Sequence, residues 1–324
     1  MQHRQVLIGV FTLFSFLSLG NPSDSLRADA LFHRADTFLL FNRHDSSIFL
    51  FEQAFELYND LGDWEGVVSS KNKISENLCA VFELQEALVV AEEALQIASD
   101  QLGEFHLERA NALSNIGNVY YLTGQHERAL ELYNDALRIT ESVPHDDEHL
   151  YSAPTNLGIG NVYYGKLQYE EAFRYFKNAL ETNQRILGQG HPYVANSYLS
   201  LGNLYRNKGS YNLAKENYNT ALDINLGVFG TDHPDVATTY VGIADIYKSS
   251  GGLEKALQII IKRLSSILNF WISEIQSLVL FISGLLMWPK TKETIVQLSL
   301  IINRHWKSFL IQSERTTKAR LGPD

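Results

Sequence analysis

The chain has 324 residues, of which 45% are hydrophobic and 20% are charged, and its formal net charge is -10. This is the composition of an ordinary folded protein, and the negative balance argues against nucleic acid as the main partner. The single cysteine, Cys79, excludes an internal disulfide framework and a cysteine-based zinc knuckle. Because Cys79 lies in an apolar-periodic stretch, we expect a small buried residue rather than a nucleophile.

Residues 1–20 have the form of a secretory signal peptide. His3 and Arg4 precede an apolar run over residues 6–19, and small residues follow at the expected cleavage position. The run is short for a membrane-spanning helix, although an uncleaved anchor is the alternative. Both interpretations place the rest of the chain outside the cytoplasm. We therefore expect a secreted or periplasmic protein, with a membrane-anchored form as the alternative.

A skeleton of small and aromatic residues recurs three times in the middle of the chain. It consists of Gly, Tyr at +3, Ala at +12, an aromatic residue at +16 and Ala at +19. Its members are Gly117, Tyr120, Ala129, Tyr133, Ala136, Gly160, Tyr163, Ala172, Phe176, Ala179, Gly202, Tyr205, Ala214, Tyr218 and Ala221. The spacing places Gly and Tyr on one face of a first helix, and the remaining residues in one stripe on a second helix. Each copy predicts a helix pair whose turn, near Gly124 or Gly209, has a left-handed backbone.

Weaker copies extend the skeleton in both directions. The corresponding first-helix positions are 35, 75, 117, 160, 202 and 244, at steps of 40, 42, 43, 42 and 42 residues. Six units are therefore predicted, and the tyrosines at +3 are expected to lie in the core. We divide the chain into a signal peptide (1–20), divergent units (21–100), a regular array (101–258) and an atypical tail (259–324).

The skeleton resembles the tetratricopeptide repeat, a helix–turn–helix unit. The long step and the connector "GxxHPxVA" are similar to the kinesin-light-chain subclass. Bacterial secreted proteins that carry a caspase-like CHAT domain show the same repeats in their N-terminal regions. The resemblance implies an all-α fold, a right-handed superhelical solenoid of antiparallel helix pairs. The protease half of a CHAT protein would need a His and a Cys in a separate domain, which nothing in this sequence supplies.

A histidine recurs in the connectors between units, at positions His106, His149, His191 and His233. Proline follows in the last two copies and suits the first turn of a helix, so the histidine indicates a helix start, with Asp232 as a nearby capping carboxylate. Equivalent residues of successive units in a solenoid lie roughly 10 Å apart, so two of these histidines are too far apart to bind one metal ion. We therefore expect a structural histidine, and no metal or cofactor. Residues 145–149 predict an acidic loop, with metal binding as the less favoured alternative.

The resemblance further implies a concave groove lined by the first helices. The residues at +1 and +4 from each first-helix position face this groove in the family: Asn118, Tyr121, Asn161, Tyr164, Asn203, Arg206, Asp245 and Lys248. The recurring asparagines suit the backbone of a bound segment, the tyrosines add apolar area, and Arg206 and Lys248 could hold a carboxylate. The alternative is that the asparagines bond to neighbouring repeats and only stabilise the superhelix.

The skeleton stops after residue 258, and the charge changes sign there. The first 258 residues carry 18 basic and 33 acidic groups, whereas the tail carries nine basic and four acidic ones. Three explanations are open for residues 259–324: a divergent helical cap, a weak membrane segment over residues 267–288, or a shifted reading frame.

The sequence as a whole predicts a non-catalytic scaffold that binds a protein or peptide segment in the groove. The alternative is the regulatory part of a longer enzyme, such as a CHAT-type protease or a receptor kinase. Membrane contact is expected only through residues 6–19 or 267–288.

Overall fold

The computed structural model describes residues 24–143 and 149–249, together with residues 252, 255, 258 and 259. The predicted signal peptide, residues 145–148 and the apolar run 267–288 lie outside the described residues. The described chain forms eleven α-helices: α1 (Asp24–Leu40), α2 (His44–Leu61), α3 (Trp64–Ala80), α4 (Leu84–Ile97), α5 (Leu107–Leu122), α6 (His126–Ser142), α7 (His149–Gly165), α8 (Tyr169–Leu187), α9 (Pro192–Asn207), α10 (Tyr211–Phe229) and α11 (Pro234–Ser249).

The helices form a solenoid of consecutive pairs. The six predicted first-helix positions lie in the odd-numbered helices α1 to α11. Each odd-numbered helix up to α9 packs on the even-numbered helix that follows it, and each pair packs on the next pair. A unit that contacts mainly its neighbours cannot bury its apolar face alone, so the core runs along the whole array. The prediction of an all-α helical solenoid is confirmed.

In the third to fifth units, the aromatic residue at +16 packs on the skeleton glycine of its own first helix. Tyr133 is fully buried, and a Cβ atom added to Gly117 or to Gly158 would lie 2.8 Å or 2.6 Å from its ring. Its ring is therefore held between α5 of its own unit and α7 of the next unit. Phe176 lies against Gly160 in the same way, at 2.5 Å from an added Cβ. Glycine is required at these positions because the ring occupies the space of a side chain.

The tyrosines at +3 are less buried than the sequence predicts. Tyr120, Tyr163 and Tyr205 are half-buried, and they pack against the edges of the core clusters. Tyr163 stacks on Tyr175 with ring centroids 5.6 Å apart. The expectation that these tyrosines are core residues is therefore correct only for their rings. A phenol covers apolar surface with its ring and keeps its hydroxyl near water.

In the first five units, the turn uses a left-handed residue seven positions after the first-helix position. Gly124 and Gly209 take this conformation, with φ of 82° and 76°, as the sequence predicts. Asn42, Phe82 and Leu167 take it too, with φ of 55°, 64° and 60°. A residue with a Cβ atom pays about 1–2 kcal/mol for this backbone, which glycine avoids. Two units therefore retain a strained, bulky turn residue.

We expect the substitution Leu167→Gly to raise stability by about 1 kcal/mol, because it removes the left-handed strain. Leu167 is 68% exposed, so little apolar burial is lost. Thermal unfolding followed by circular dichroism measures the change. The matched control is Gly124→Leu, which places the same side chain at the equivalent turn position and should lower the melting temperature. An unchanged or lower melting temperature for Leu167→Gly would contradict the expected strain.

The connector histidines cap the first helices. Nδ1 of His106, His191 and His233 accepts a hydrogen bond at 3.2 Å from the backbone N–H two residues later. The prediction that Asp232 supplies the cap is wrong, because the imidazole itself occupies the capping position and the Asp232 carboxylate accepts from Thr231 at 2.9 Å. Burial lowers the pKa of His233 to about 4, so its ring stays neutral and can accept this bond at neutral pH.

The turn of the first unit contacts the end of the fifth unit and the connector that leads to α11. The ring of Phe41, just after α1, lies 5.4 Å from the ring of Phe229 at the end of α10. The side-chain nitrogen of Asn42 lies 3.3 Å from Nε2 of His233, which is 191 residues away. His233 also stacks on Phe229, with centroids 3.8 Å apart. The array therefore contacts its own first unit again just before α11 begins.

Candidate functional site

The predicted groove residues lie on four consecutive first helices. Seven of them are half-buried and Lys248 is exposed. They are arranged as one pair per helix: Asn118 and Tyr121 on α5, Asn161 and Tyr164 on α7, Asn203 and Arg206 on α9, and Asp245 and Lys248 on α11.

Side chains at the +4 position connect α7 to α9 and α9 to α11. The hydroxyl of Tyr164 on α7 accepts a hydrogen bond of 2.6 Å from Nδ2 of Asn207 on α9. Nη1 of Arg206 on α9 donates to Oδ2 of Asp245 on α11 at 2.7 Å. The inner faces of α7, α9 and α11 are therefore held together by polar contacts as well as by packing.

Arg206 already has a carboxylate partner within the protein. Its ion pair with Asp245 is partly buried, with side-chain exposures of 25% and 44%. A guanidinium that is neutralised in this way gains little from a second carboxylate. The sequence suggested that Arg206 could hold a carboxylate of the partner, and the ion pair removes the main reason for that role.

Two of the three groove asparagines are bonded within their own unit. Asn118 accepts a hydrogen bond of 2.8 Å from the hydroxyl of Tyr133, and Asn203 accepts one of 2.6 Å from Tyr218. Neither bond runs to a neighbouring repeat, as the alternative from the sequence assumed. The signal that could have shown this pairing is the tyrosine at +16, which has the reach and the hydroxyl to meet the asparagine on its own first helix.

The centre of the groove is aromatic and uncharged. Burial raises the pKa of Tyr121 and is also the main cause of the raised pKa of Tyr164. Both phenols therefore stay protonated at neutral pH. Tyr164 also lies near the buried ring of Phe176, with centroids 6.4 Å apart. This region offers apolar area and hydrogen-bonding groups without a net charge.

The inner face at the other end of the array is charged, and sequence reasoning missed it. Lys73 on α3 lies 3.1 Å from Glu76 and 3.5 Å from Asp36 on α1. The charge of Glu76 is the main reason why the pKa of Tyr193, at the start of α9, rises to about 12. The two acidic residues occupy the +1 positions of the first two units, so the spacing of the repeat could have identified them.

A separate hollow of about 750 Å³ lies between α6, α7 and α8. Its lining includes Arg138, Arg174 and Arg185 together with Glu141 and Glu181. None of the predicted groove residues contributes to it. Basic and acidic side chains alternate along its walls, so it has no strong charge preference.

Cys79 behaves as an apolar residue. It is half-buried against the core of the first units, and burial raises the pKa of its thiol to about 12. Among residues 24–143 and 149–249, no group of three or more His, Cys, Asp or Glu side chains is placed to hold a metal ion. Within the same ranges, no helix has both the length and the apolar character needed to cross a membrane.

A family model for the tetratricopeptide repeat matches residues 67–142, 151–226 and 199–264. These segments together span more than half of the chain. The protein belongs to the tetratricopeptide-repeat family. The skeleton glycines and alanines are thus the helix-contact residues of tetratricopeptide repeats. No curated protein matches the sequence.

Solved structures share the fold of these tetratricopeptide repeats. BtubC (BKLC) from P. vanneervenii is 23% identical, with a TM-score of 0.54 over 70% of this chain and 90% of that chain. The Rap conjugation gene regulator of plasmid pLS20, solved with a peptide, is 18% identical, with a TM-score of 0.61 over 79% of this chain and 66% of that chain. A kinesin light chain-like protein of Podosopora anserina is 19% identical, with a TM-score of 0.48 over 61% of this chain and 93% of that chain. The similarity to CHAT-domain proteins stays a prediction.

Proposed function

We propose that this protein is a non-catalytic scaffold that binds an extended segment of a protein or peptide along the inner faces of α5, α7, α9 and α11. The observation that carries the proposal is the uncharged strip formed by Tyr121, Asn161 and Tyr164 at the centre of these helices. Aromatic rings supply apolar contact area, and an amide supplies both a donor and an acceptor for a peptide backbone.

Several features of the strip support an extended, uncharged occupant. The guanidinium of Arg206, which lies next to the strip, is paired with the carboxylate of Asp245 at 2.7 Å. Lys73 is likewise paired with acidic side chains, so neither of these two cations is free to attract an acidic segment. The Rap regulator of pLS20, which shares the fold, was solved with a bound peptide. A peptide backbone along the groove is the occupant that these groups match best.

We also propose that the protein acts outside the cytoplasm, because residues 1–20 have the pattern of a secretory signal peptide. Its partner would then be a secreted, periplasmic or surface protein. Membrane attachment through residues 6–19 or 267–288 is the alternative. Catalysis by a further domain, the second possibility that the sequence raised, stays a prediction.

The groove proposal predicts that the double substitution Asn161→Ala/Tyr164→Ala weakens peptide binding by about tenfold or more, since each side chain contributes roughly 1 kcal/mol at such a contact. Short peptides are first selected against the full-length protein from a phage-displayed random library. Their affinities for the wild type and the variant are then compared by fluorescence anisotropy, after circular dichroism has shown that the variant is folded.

The matched control is Tyr211→Ala/Asn212→Ala, which removes the same two residue types from the exposed start of α10. This pair lies outside the predicted groove, so binding should be unchanged. If the selected peptides bind the groove variant as tightly as the wild type, the binding surface lies elsewhere and the proposal is wrong.

A further inference from the structure

In the third and fifth units, the tyrosine at +16 on the second helix bonds to the groove asparagine at +1 on the first helix. In the third unit, Tyr133 donates to Oδ1 of Asn118 at 2.8 Å. In the fifth unit, Tyr218 donates to Oδ1 of Asn203 at 2.6 Å. The two tyrosines are almost completely buried, so each hydroxyl approaches its asparagine from the core side.

The fourth unit has the same ring without the hydroxyl. Phe176 is 1% exposed and packs on Gly160, as Tyr133 packs on Gly117. Asn161 occupies the position that corresponds to Asn118, and its side chain makes no hydrogen bond with any residue of the described ranges. Because the ring is placed in the same way in both units, the missing hydroxyl is the difference between Asn161 and Asn118.

The hydroxyl changes what the asparagine can offer to a partner. A tyrosine O–H that donates to Oδ1 occupies one acceptor site and prevents the amide plane from turning. Such an asparagine keeps two N–H donors and one acceptor site, all in the direction that the tyrosine bond fixes. An asparagine without this bond can turn, and it can accept from the N–H and donate to the C=O of a bound peptide backbone.

We infer that Phe176 is a positioning residue that makes Asn161 the point at which a bound segment pairs through both its N–H and its C=O, and that this pair sets the register of the segment. The inference rests on the proposed binding groove. Asn161 lies on the third of the five odd-numbered helices from α3 to α11, next to Tyr164. Asn118 and Asn203 flank it by one unit on each side, and a tyrosine already uses one acceptor site of each amide oxygen.

The substitution Phe176→Tyr tests this role without altering the groove surface. Its hydroxyl should bond to Oδ1 of Asn161, as the tyrosines do in the neighbouring units, and affinity for peptides selected on the wild type should fall by about tenfold. The matched control is Phe173→Tyr, the same chemical change three residues earlier on α8. Phe173 is half-buried against Tyr205, so its added hydroxyl should leave peptide binding unchanged.

Backbone N-methylation of a selected peptide separates this role from a general loss of fit. In the wild type, methylation of one particular peptide nitrogen should cost about tenfold in affinity, because it removes the N–H that bonds to Asn161. In Phe176→Tyr the same methylation should cost little. Equal sensitivity to methylation in both proteins would overturn the inference.

A spectroscopic measurement tests the amide directly and needs no peptide. In a ¹⁵N–¹H spectrum, the side-chain NH₂ signals of Asn161 should move in Phe176→Tyr toward those of Asn118 and Asn203. If Phe176→Tyr does not fold, Tyr133→Phe provides the reverse test, since the Asn118 signals should then move toward those of Asn161. Unmoved signals in the variant that folds would refute the pairing. Failure to select any groove-binding peptide would refute the proposed function. The NH₂ signals would still show whether the hydroxyl at +16 bonds to the asparagine amide.

Discussion

The substitution Gly160→Ala should destabilise the protein by about 2 kcal/mol, the net of a larger packing cost and a gain of up to about 1 kcal/mol in helix propensity. The added Cβ atom would lie 2.5 Å from two carbons of the Phe176 ring. That ring is 1% exposed, so it cannot turn aside into solvent. Either the ring or the whole of α8 must shift.

Urea unfolding followed by circular dichroism measures this effect, and Gly165→Ala is its control. Gly165 lies on the same helix, but a Cβ atom added there meets nothing within 4 Å. Its replacement by alanine should leave stability unchanged or raise it slightly. If the two variants unfolded at the same urea concentration, the close contact between α7 and α8 would not exist in solution.

The substitution Tyr133→Ala should have the largest effect, a loss of about 3–5 kcal/mol, as expected for the removal of a fully buried aromatic side chain. Tyr133 contacts both Gly117 of its own unit and Gly158 of the next one. Its loss therefore opens a cavity at the junction between the third and fourth units. Since repeats stabilise one another through such junctions, unfolding should also become less cooperative.

Tyr133→Phe separates the ring from the hydroxyl. It removes only the hydrogen bond of 2.8 Å to Asn118 and should cost about 1 kcal/mol. The fourth unit shows that phenylalanine fits at this position, since Phe176 occupies it there. Urea unfolding compares the two variants with the wild type. A loss in Tyr133→Phe as large as that in Tyr133→Ala would mean that the hydroxyl, not the ring, holds the junction.

The sequence left the chemistry of the candidate groove incomplete. The spacing of the repeat located the first helices, and the resemblance implied that their +1 and +4 residues face a concave surface. The sequence could not show that Arg206 is neutralised by Asp245, because both residues were assigned to the same surface as independent groups. Which of two such side chains faces a partner and which faces its neighbour depends on the distance between adjacent helices.

The recurring histidine is a second feature whose position was predicted from the sequence but whose bonding was not. Its spacing and the prolines that follow it predicted a helix start, and the helices do begin there. The identity of the cap was wrong for the last connector, where His233 accepts the bond that Asp232 was expected to accept. Both residues are able to cap a helix, and only the path of the backbone decides which of them reaches the N–H.

The sequence by itself determined the helix pairs, the glycines on which aromatic rings pack, and the turns and connectors between them. All of these depend on residues within a single unit or at one junction, so a repeated spacing reveals them. Only the tertiary structure decided that Phe41 and Asn42 meet Phe229 and His233 across the coil. Such a contact results from small rotations that accumulate over several junctions, and no single repeat encodes their sum.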